Sequence, residues 1–302
     1  MIESAHAAGG TDQPAAMPLE ATLPEPVTRE ELCTRATLRR VAAMLDLDPA
    51  PLEAAGQLPR GWHFVLMGAD TPRSALRSDG FPGLGVPMPA LGLPRLMLGG
   101  RQVVFHADIP VGVPVERRSV LRSVRPKTTA AGPMAVVTLD HALHVGPAEA
   151  PALVETQTFL LLPATPAGPA SAVATAAPAS AAAGAVIDAA HRKTLVPDET
   201  LLFQYSALGF NSHRIHLDRQ HAQQVEGFAD LVVNGGLSTL LLTEFLRCEL
   251  GVRPSRITVR HVAPLLCNRV MTLTADAADG RWLLKAWDDQ PRVAVEMEVD
   301  VR

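Results

Sequence analysis

Apolar and polar positions alternate with period two in four successive stretches: RQVVFHADIP (101–110), ERRSVLRSVRP (116–126), MAVVTLDHALHV (134–145) and LVETQTFLLLP (153–163). Each is of strand length and bounded by Pro, Gly or polar breaks, so the pattern predicts a meander of antiparallel strands. Four more alternating runs close the chain: SRITVRHVAP (255–264), RVMTLTAD (269–276), RWLLKAWDD (281–289) and RVAVEMEVDV (292–301). Between the two sets the period changes. LVVNGGLSTLLLTEFLRCELG (231–251) reads as a buried strand end, a turn at Asn234-Gly235-Gly236, and a helix apolar on nearly every side that stops at Gly251. A helix of that kind must be wrapped, and the last four strands are predicted to form a curved sheet around it.

Thr28 and Glu31 have capping-box spacing, and Leu38, Val41 and Leu45 follow at helical intervals, which predicts a first helix ending near Asp48-Pro49. TLLFQYSAL (200–208) predicts a strand, and RQHAQQVEGF (219–228) a short helix opened by Asp218. Residues 61–94, above all DGFPGLGVPMPALGLP, carry too much Gly and Pro for a long helix and predict an extended loop. A faint repeat links VVFHADIPV (103–111) to ITVRHVAPL (257–265), with Pro264 standing 154 residues after Pro110. That spacing is about half the chain and suggests two copies of one sheet unit.

Composition sets the boundaries. Residues 1–27 are Ala, Gly and Pro rich without periodicity and read as a disordered tail, and the low-complexity run within 163–190 reads as a linker. The expected organisation is therefore a tail (1–27), an N-terminal unit (28–162), a linker (163–190) and a C-terminal unit (191–302). The charge balance, 27 Lys plus Arg against 31 Asp plus Glu, leaves a net −4 and argues against a nucleic-acid partner. Cys33, Cys248 and Cys267 form no paired motif, which suits a reducing cytoplasm. The start of the chain has neither a basic segment nor an apolar run, and LSTLLLTEFL is too short to cross a bilayer, so a soluble protein is expected with no membrane partner.

The chemistry concentrates in GFNSHRIHLD (209–218), where Asn211, His213, Arg214, His216 and Asp218 interrupt an apolar sequence. His216 is the natural acid/base group, because imidazole titrates near neutrality, although a histidine packed on a backbone carbonyl reads the same way. About twenty residues later, the Asn234-Gly235-Gly236 turn offers free N–H groups at a helix N-terminus, suited to a polarised carbonyl oxygen; two glycines that merely allow a tight turn are the alternative. Arg214 is either a clamp for an anionic group or a solvated charge. His213, His216 and His221 suggest a metal only weakly, since no carboxylate stands at a matching position and Arg214 opposes a cation. No nucleotide-binding glycine loop and no serine-hydrolase elbow is present.

FQYSALGFNSHRIHLDRQHAQQVEGFADLVVNGGL resembles the MaoC-like, hot-dog-fold acyl-thioester hydratases and dehydratases, in the branch of mesaconyl-C4-CoA or itaconyl-CoA hydratase and fungal-type 3-hydroxyacyl-thioester dehydratase. LPRGWHFVLM, MPALGLPRLMLGGRQVVFHADIPVG and ETQTFLLLP extend the likeness over most of residues 28–302. The resemblance implies an α+β tandem hot-dog fold in which the first unit has lost most of its central helix, an acyl-CoA substrate, no cofactor and a homodimer. It places Asn211 where the wider family has aspartate and His216 at the catalytic histidine, with Gly235 as oxyanion donor. His213 and Arg214 take the places of an asparagine and a proline, and the close branch itself reads FNxHRIH. The turn departs from the wider HGxL pattern at Asn234, and Gly236 replaces a proline usual in the branch; both changes bear on activity and substrate choice. The implied reaction is hydration of a 2-enoyl-CoA, with Arg214, His213, Gly236 and Asn234 lining the substrate. Two rivals remain: a thioesterase using Glu226 or Asp218 as its carboxylate, and a non-catalytic acyl-thioester binding protein.

Overall fold

A computed structural model describes residues 23–130, 132–164 and 187–301. The tail expected over 1–27 and the linker expected over 163–190 fall mainly outside the described residues.

Strands β1 (Val27–Glu31), β2 (Arg95–Phe105), β3 (Val115–Thr129), β4 (Gly132–Val145) and β5 (Leu153–Leu162) pair in the order β1-β3-β4-β5-β2. Strands β6 (His191–Leu195), β7 (Pro254–His261), β8 (Met271–Ala278), β9 (Arg281–Trp287) and β10 (Val293–Val301) pair in the order β7-β10-β9-β8-β6. The halves meet at β2 and β7, forming one antiparallel ten-stranded sheet. Counted outward from the seam, β2, β5, β4, β3 and β1 match β7, β10, β9, β8 and β6. The faint sequence repeat lies on this symmetry: it equates Val103 with Ile257, and these two residues face each other across the seam. The tandem hot-dog expectation is thereby met.

Helix α5 (Gly235–Leu250) lies across β8, β9 and β10. Leu237, Leu240, Leu242, Phe245 and Leu246 are buried in it, which is why its sequence has no polar stripe. Gly251 ends it in the left-handed conformation that glycine adopts without strain.

Two local expectations are corrected. Thr28 and Glu31 do not open a helix; they lie in β1, paired with Arg118 and Val115 of β3. The first helix, α1 (Arg35–Met44), starts instead at Thr34, whose hydroxyl accepts the Thr37 N–H at 3.0 Å. It is followed by α2 (Pro49–Ala55), capped by Asp48 with Pro49 at its first position. TLLFQYSAL is not a strand but α3 (Glu199–Leu208), started by Asp198 accepting the Leu201 N–H at 2.8 Å. Leu202, Tyr205 and Ser206 point inward at helical spacing while Phe203 is exposed, so the helix period prevails over the β-like composition. The short helix α4 (Arg219–Gln224) forms as expected, with Asp218 as its cap.

Residues 61–94 form a long excursion containing two short 3₁₀ turns, Trp62–Leu66 and Arg73–Ala75. The first turn ties the halves together. Trp62 donates its indole N–H to Glu244 of α5 at 2.7 Å, and His63, next in sequence, bonds Glu155 of β5 at 2.8 Å. Gly61 permits this close approach, because a Cβ there would collide with Thr243 of α5.

Candidate active site

The turn after α3 is braced from the N-terminal half. Ser212 donates its hydroxyl to the Gly80 carbonyl at 2.6 Å, and the Arg214 N–H donates to the Asp79 carbonyl at 2.8 Å. Gly80 has φ +76°, and a side chain there would strike the Ser212 carbonyl. Within the turn, Asn211 Oδ1 accepts the His213 N–H at 3.1 Å. Its acceptor thus engaged, Asn211 presents its amide N–H groups as donors.

His216 is buried at 7 % exposure and hydrogen-bonds the Val232 carbonyl through Nδ1 at 2.7 Å. A carbonyl only accepts, so Nδ1 carries the proton and Nε2 is the basic nitrogen. Burial pushes the imidazole down to about 3, with the neighbouring His213 adding to the effect, so the ring is neutral at physiological pH. His213 packs edge-on against it, 5.5 Å between ring centroids, with Phe81 on another side and Asp79 at 3.7 Å. Desolvation lowers its pKa as well, against the pull of Asp79.

The N-terminus of α5 faces the same space. Asn234 precedes the helix but does not cap it; its Nδ2 donates to Ser206 at 3.2 Å. First-turn N–H groups have no intrahelical partner, so those at Gly235 and Gly236 remain available at the positive end of the helix dipole. Both glycines leave room for neighbouring side chains. A Cβ at Gly235 would press on Leu98 and His261 at 3.1 and 3.3 Å, and one at Gly236 would land on the Tyr205 hydroxyl.

These groups share a cavity of about 960 Å³. Of the seven residues singled out from sequence, Asn211, His213, His216, Asn234, Gly235 and Gly236 line it. Arg214 does not. It turns outward to Asp218, with Nη2 to Oδ2 at 2.6 Å, and is nearly half exposed. Of the two readings of Arg214, a substrate-lining anionic clamp or a solvated charge, the structure has the second, a surface ion pair. The carboxylates that a thioesterase would need are also committed: Asp218 caps α4 and holds Arg214, and Glu226 receives Arg95 Nε at 2.9 Å.

The sequence reading missed the opposite wall, where Arg101, Arg117, Ser119, His141 and Gln157 from the N-terminal sheet and Tyr205 from α3 line the cavity. A signal was present: in LVETQTFLLL the positions facing one way are Leu153, Glu155, Gln157, Phe159 and Leu161, so two polar residues stand in the apolar phase of a strand.

Comparison with known proteins adds the following. The family profile described as hydroxyacyl-thioester dehydratase type 2 matches residues 61–267. Mesaconyl-C(4)-CoA hydratase of Chloroflexus aurantiacus is 34% identical over 272 residues, covering 90% of this chain and 93% of that protein. The mitochondrial hydroxyacyl-thioester dehydratase type 2 of Schizosaccharomyces pombe is 26% identical over 96 residues, 31% of this chain and 32% of its own length. Among solved structures, a MaoC-like dehydratase superposes with a TM-score of 0.66 at 17% identity, covering 94% of this chain and all of that one. HtdX of Mycobacterium tuberculosis gives 0.63 at 20% identity, covering 92% and 100%.

Proposed function

The chain belongs to the hydroxyacyl-thioester dehydratase type 2 family, and from that premise we propose that it hydrates a 2-enoyl-CoA thioester, reversibly, at the cavity between α5 and the N-terminal sheet. It is a hydro-lyase of the MaoC-like, hot-dog group. The observation that carries the reading is His216: a buried, neutral imidazole held by the Val232 carbonyl so that its basic nitrogen is free, in the same cavity as the open N-terminus of α5.

In this reading the thioester carbonyl lies at the Gly235 N–H, where the helix dipole and an unpaired donor stabilise the enolate that forms on addition. Asn211 donates to the attacking water, and His216 Nε2 takes its proton as the oxygen joins the β-carbon. Asparagine has no proton to give in place of an aspartic acid, so the imidazolium of His216 returns the proton to the α-carbon. The same groups in reverse eliminate water from a 3-hydroxyacyl thioester. His213, Asn234 and Gly236 shape the wall around the acyl group, which we take to be short or dicarboxylic in view of the mesaconyl-C(4)-CoA hydratase relative. The reading also includes the division into units 28–162 and 191–302, a cytoplasmic location and a homodimer. No helix among the described residues is long and apolar enough to cross a membrane.

The test is a panel of crotonyl-CoA, mesaconyl-C4-CoA and itaconyl-CoA, following loss of the enoyl-thioester absorbance beside a thiol assay. Loss of absorbance without thiol release is expected. Thiol release would make the chain a thioesterase, and binding without turnover a non-catalytic acyl-thioester protein.

A further inference from the structure

The inward face of the N-terminal sheet should be apolar throughout, and it is not. Cross-strand register aligns Arg101 with Gln157 and Val103 with Glu155, which itself faces His141, opposite Ser119. This polar belt splits the half into two cores. One contains Val103, Phe105, Leu143 and Leu153; the other contains Leu121, Leu139, Phe159 and Leu161. Burying such a belt is costly unless its groups are paired.

Most of them are. Glu155, fully buried, receives His63 Nε2 at 2.8 Å, Gln157 Nε2 at 2.9 Å and Arg101 Nη1 at 3.2 Å. Burial alone would raise its carboxyl, yet Arg101 together with these hydrogen bonds holds it well below the usual carboxylate range. His141 bonds Ser119 at 2.8 Å. Two other arginines on the cavity wall are held at more than one nitrogen: Arg95 at Nε and Nη2 by the Glu226 carboxylate and carbonyl, and Arg117 at Nη1 and Nη2 by the Leu66 and Gly68 carbonyls and by Glu31, although its Nε is buried without a partner among the described residues.

Arg101 differs. Its one polar contact among the described residues is the Nη1 ion pair with Glu155, which leaves Nη2 without a partner, and its side chain, 11 % exposed, lines the cavity. A planar, permanently charged fork therefore presents an unpaired Nη2 to whatever fills that space. Register seats Arg101 opposite Val259 of β7, and His261 lies two residues further along that strand on the same face, at the reacting end of the site. The His261 ring abuts Gly235 and the Tyr205 hydroxyl abuts Gly236, and both line the cavity with Arg101. Burial first and then Arg101 push the His261 imidazole down to about 3, so it adds no competing cation.

A carboxylate is the anion that an unpaired guanidinium N–H lining a largely apolar cavity fits, through a charge-assisted hydrogen bond. We propose that Arg101 binds a second carboxylate on the acyl group, so that the protein selects CoA thioesters of short unsaturated diacids over the corresponding monoacids. The proposal rests on the enoyl-thioester reading of the cavity and names its specificity residue, on the N-terminal half. In a short diacid the second carboxylate sits just beyond the reacting double bond, which is where a charge close to the α5 N-terminus can reach it.

The test measures equilibrium binding of two saturated, unreactive thioesters, succinyl-CoA and butyryl-CoA, alongside hydration of mesaconyl-C4-CoA and crotonyl-CoA. The wild-type protein is expected to bind succinyl-CoA on the order of 10- to 100-fold more tightly than butyryl-CoA, the range of a charge-assisted pair. Arg101→Gln should bring the two toward parity. Because that change deprives buried Glu155 of a partner, the double variant Arg101→Gln/Glu155→Gln, which removes both charges together, should give the same loss of preference. Equal binding by the wild type, or a preference that survives in a folded Arg101 variant, would overturn the proposal. The two readings fail separately: a succinyl-CoA preference with no enoyl-CoA hydrated sinks the hydratase reading and sustains Arg101, whereas hydration of crotonyl-CoA without diacid preference sinks Arg101 alone.

Discussion

The two halves of the sheet repeat one strand order and differ in what lies against the inward face. The C-terminal half is covered by α5, and its strands turn Met271, Leu273, Leu284 and Met297 into a continuous apolar core. The N-terminal half has a belt of Arg101, Glu155, His141 and Ser119, and the cavity opens beside it. The comparison teaches that one strand order serves two ends: covered by a helix it makes a closed core, and without that cover among the described residues it makes a wall with room in front of it. A sheet face that must meet a polar ligand needs inward polar groups, and such groups survive burial only as a paired network. On the proposed reading, the half with the helix supplies the reacting groups, through His216 and the start of α5, and the half without it supplies the acyl-binding wall.

The largest effect on this contrast should come from Glu155→Leu. It restores the apolar pattern of the other half but leaves Arg101 and His63 without their buried carboxylate, so a stability loss of about 3–5 kcal/mol is expected from denaturant unfolding. Because β2 and β7 join the halves into one sheet, both should unfold in a single transition. A stability unchanged by Glu155→Leu would mean that the belt is not a mutually paired network. Gly80→Ala acts where the N-terminal excursion braces the turn that carries Asn211 and His216. The added methyl must displace the Ser212 carbonyl or distort a left-handed backbone, at a cost of about 1–3 kcal/mol. Hydration should fall more than stability does, since the displaced turn carries Asn211 and His216.

Acid should weaken both halves in the same direction. His216 and His261 have pKa values pushed to about 3 and His141 to about 4 in the folded protein, against an ordinary 6.5. Between those values the unfolded chain binds more protons than the folded one, so stability rises with pH across that window and falls as pH drops below 6.5. Glu155, with its folded pKa depressed, adds a loss at still lower pH. A melting temperature that stayed flat from pH 7 to pH 4.5 would contradict the buried neutral histidines. The smallest effect is expected from Arg214→Ala: the Arg214–Asp218 pair is exposed, so hydration and stability should change by less than about 1 kcal/mol. A hundredfold loss of diacid turnover in that variant would move the anion clamp back to Arg214.

Much of this was legible in the sequence because strand alternation is a local property. The eight alternating runs, the wrapped helix with its glycine stop, and the Gly/Pro-rich excursion all follow from period and punctuation. Where two local signals competed, the reading failed: Thr28 and Glu31 have cap spacing but also alternate in β1, and only pairing with β3 decides between them. In α3 the β-like composition of TLLFQYSAL masked the Asp198 cap that starts the helix. His216 and Gly235 were legible because their motifs are contiguous. Arg101, Glu155 and His141 were not, because they belong to three strands and meet only through register, although each breaks its strand's apolar phase. The two readings of Arg214 could not be separated because sequence gives a residue's neighbours but not the direction of its side chain.

The most direct test of the account compares wild-type protein with His216→Ala for hydration of an enoyl-CoA and for binding of its saturated analogue. The account predicts a rate loss on the order of 10²- to 10⁴-fold with analogue binding nearly unchanged, because the imidazole moves a proton and the N-terminal wall holds the acyl group. Retained turnover in a folded His216→Ala protein would contradict it.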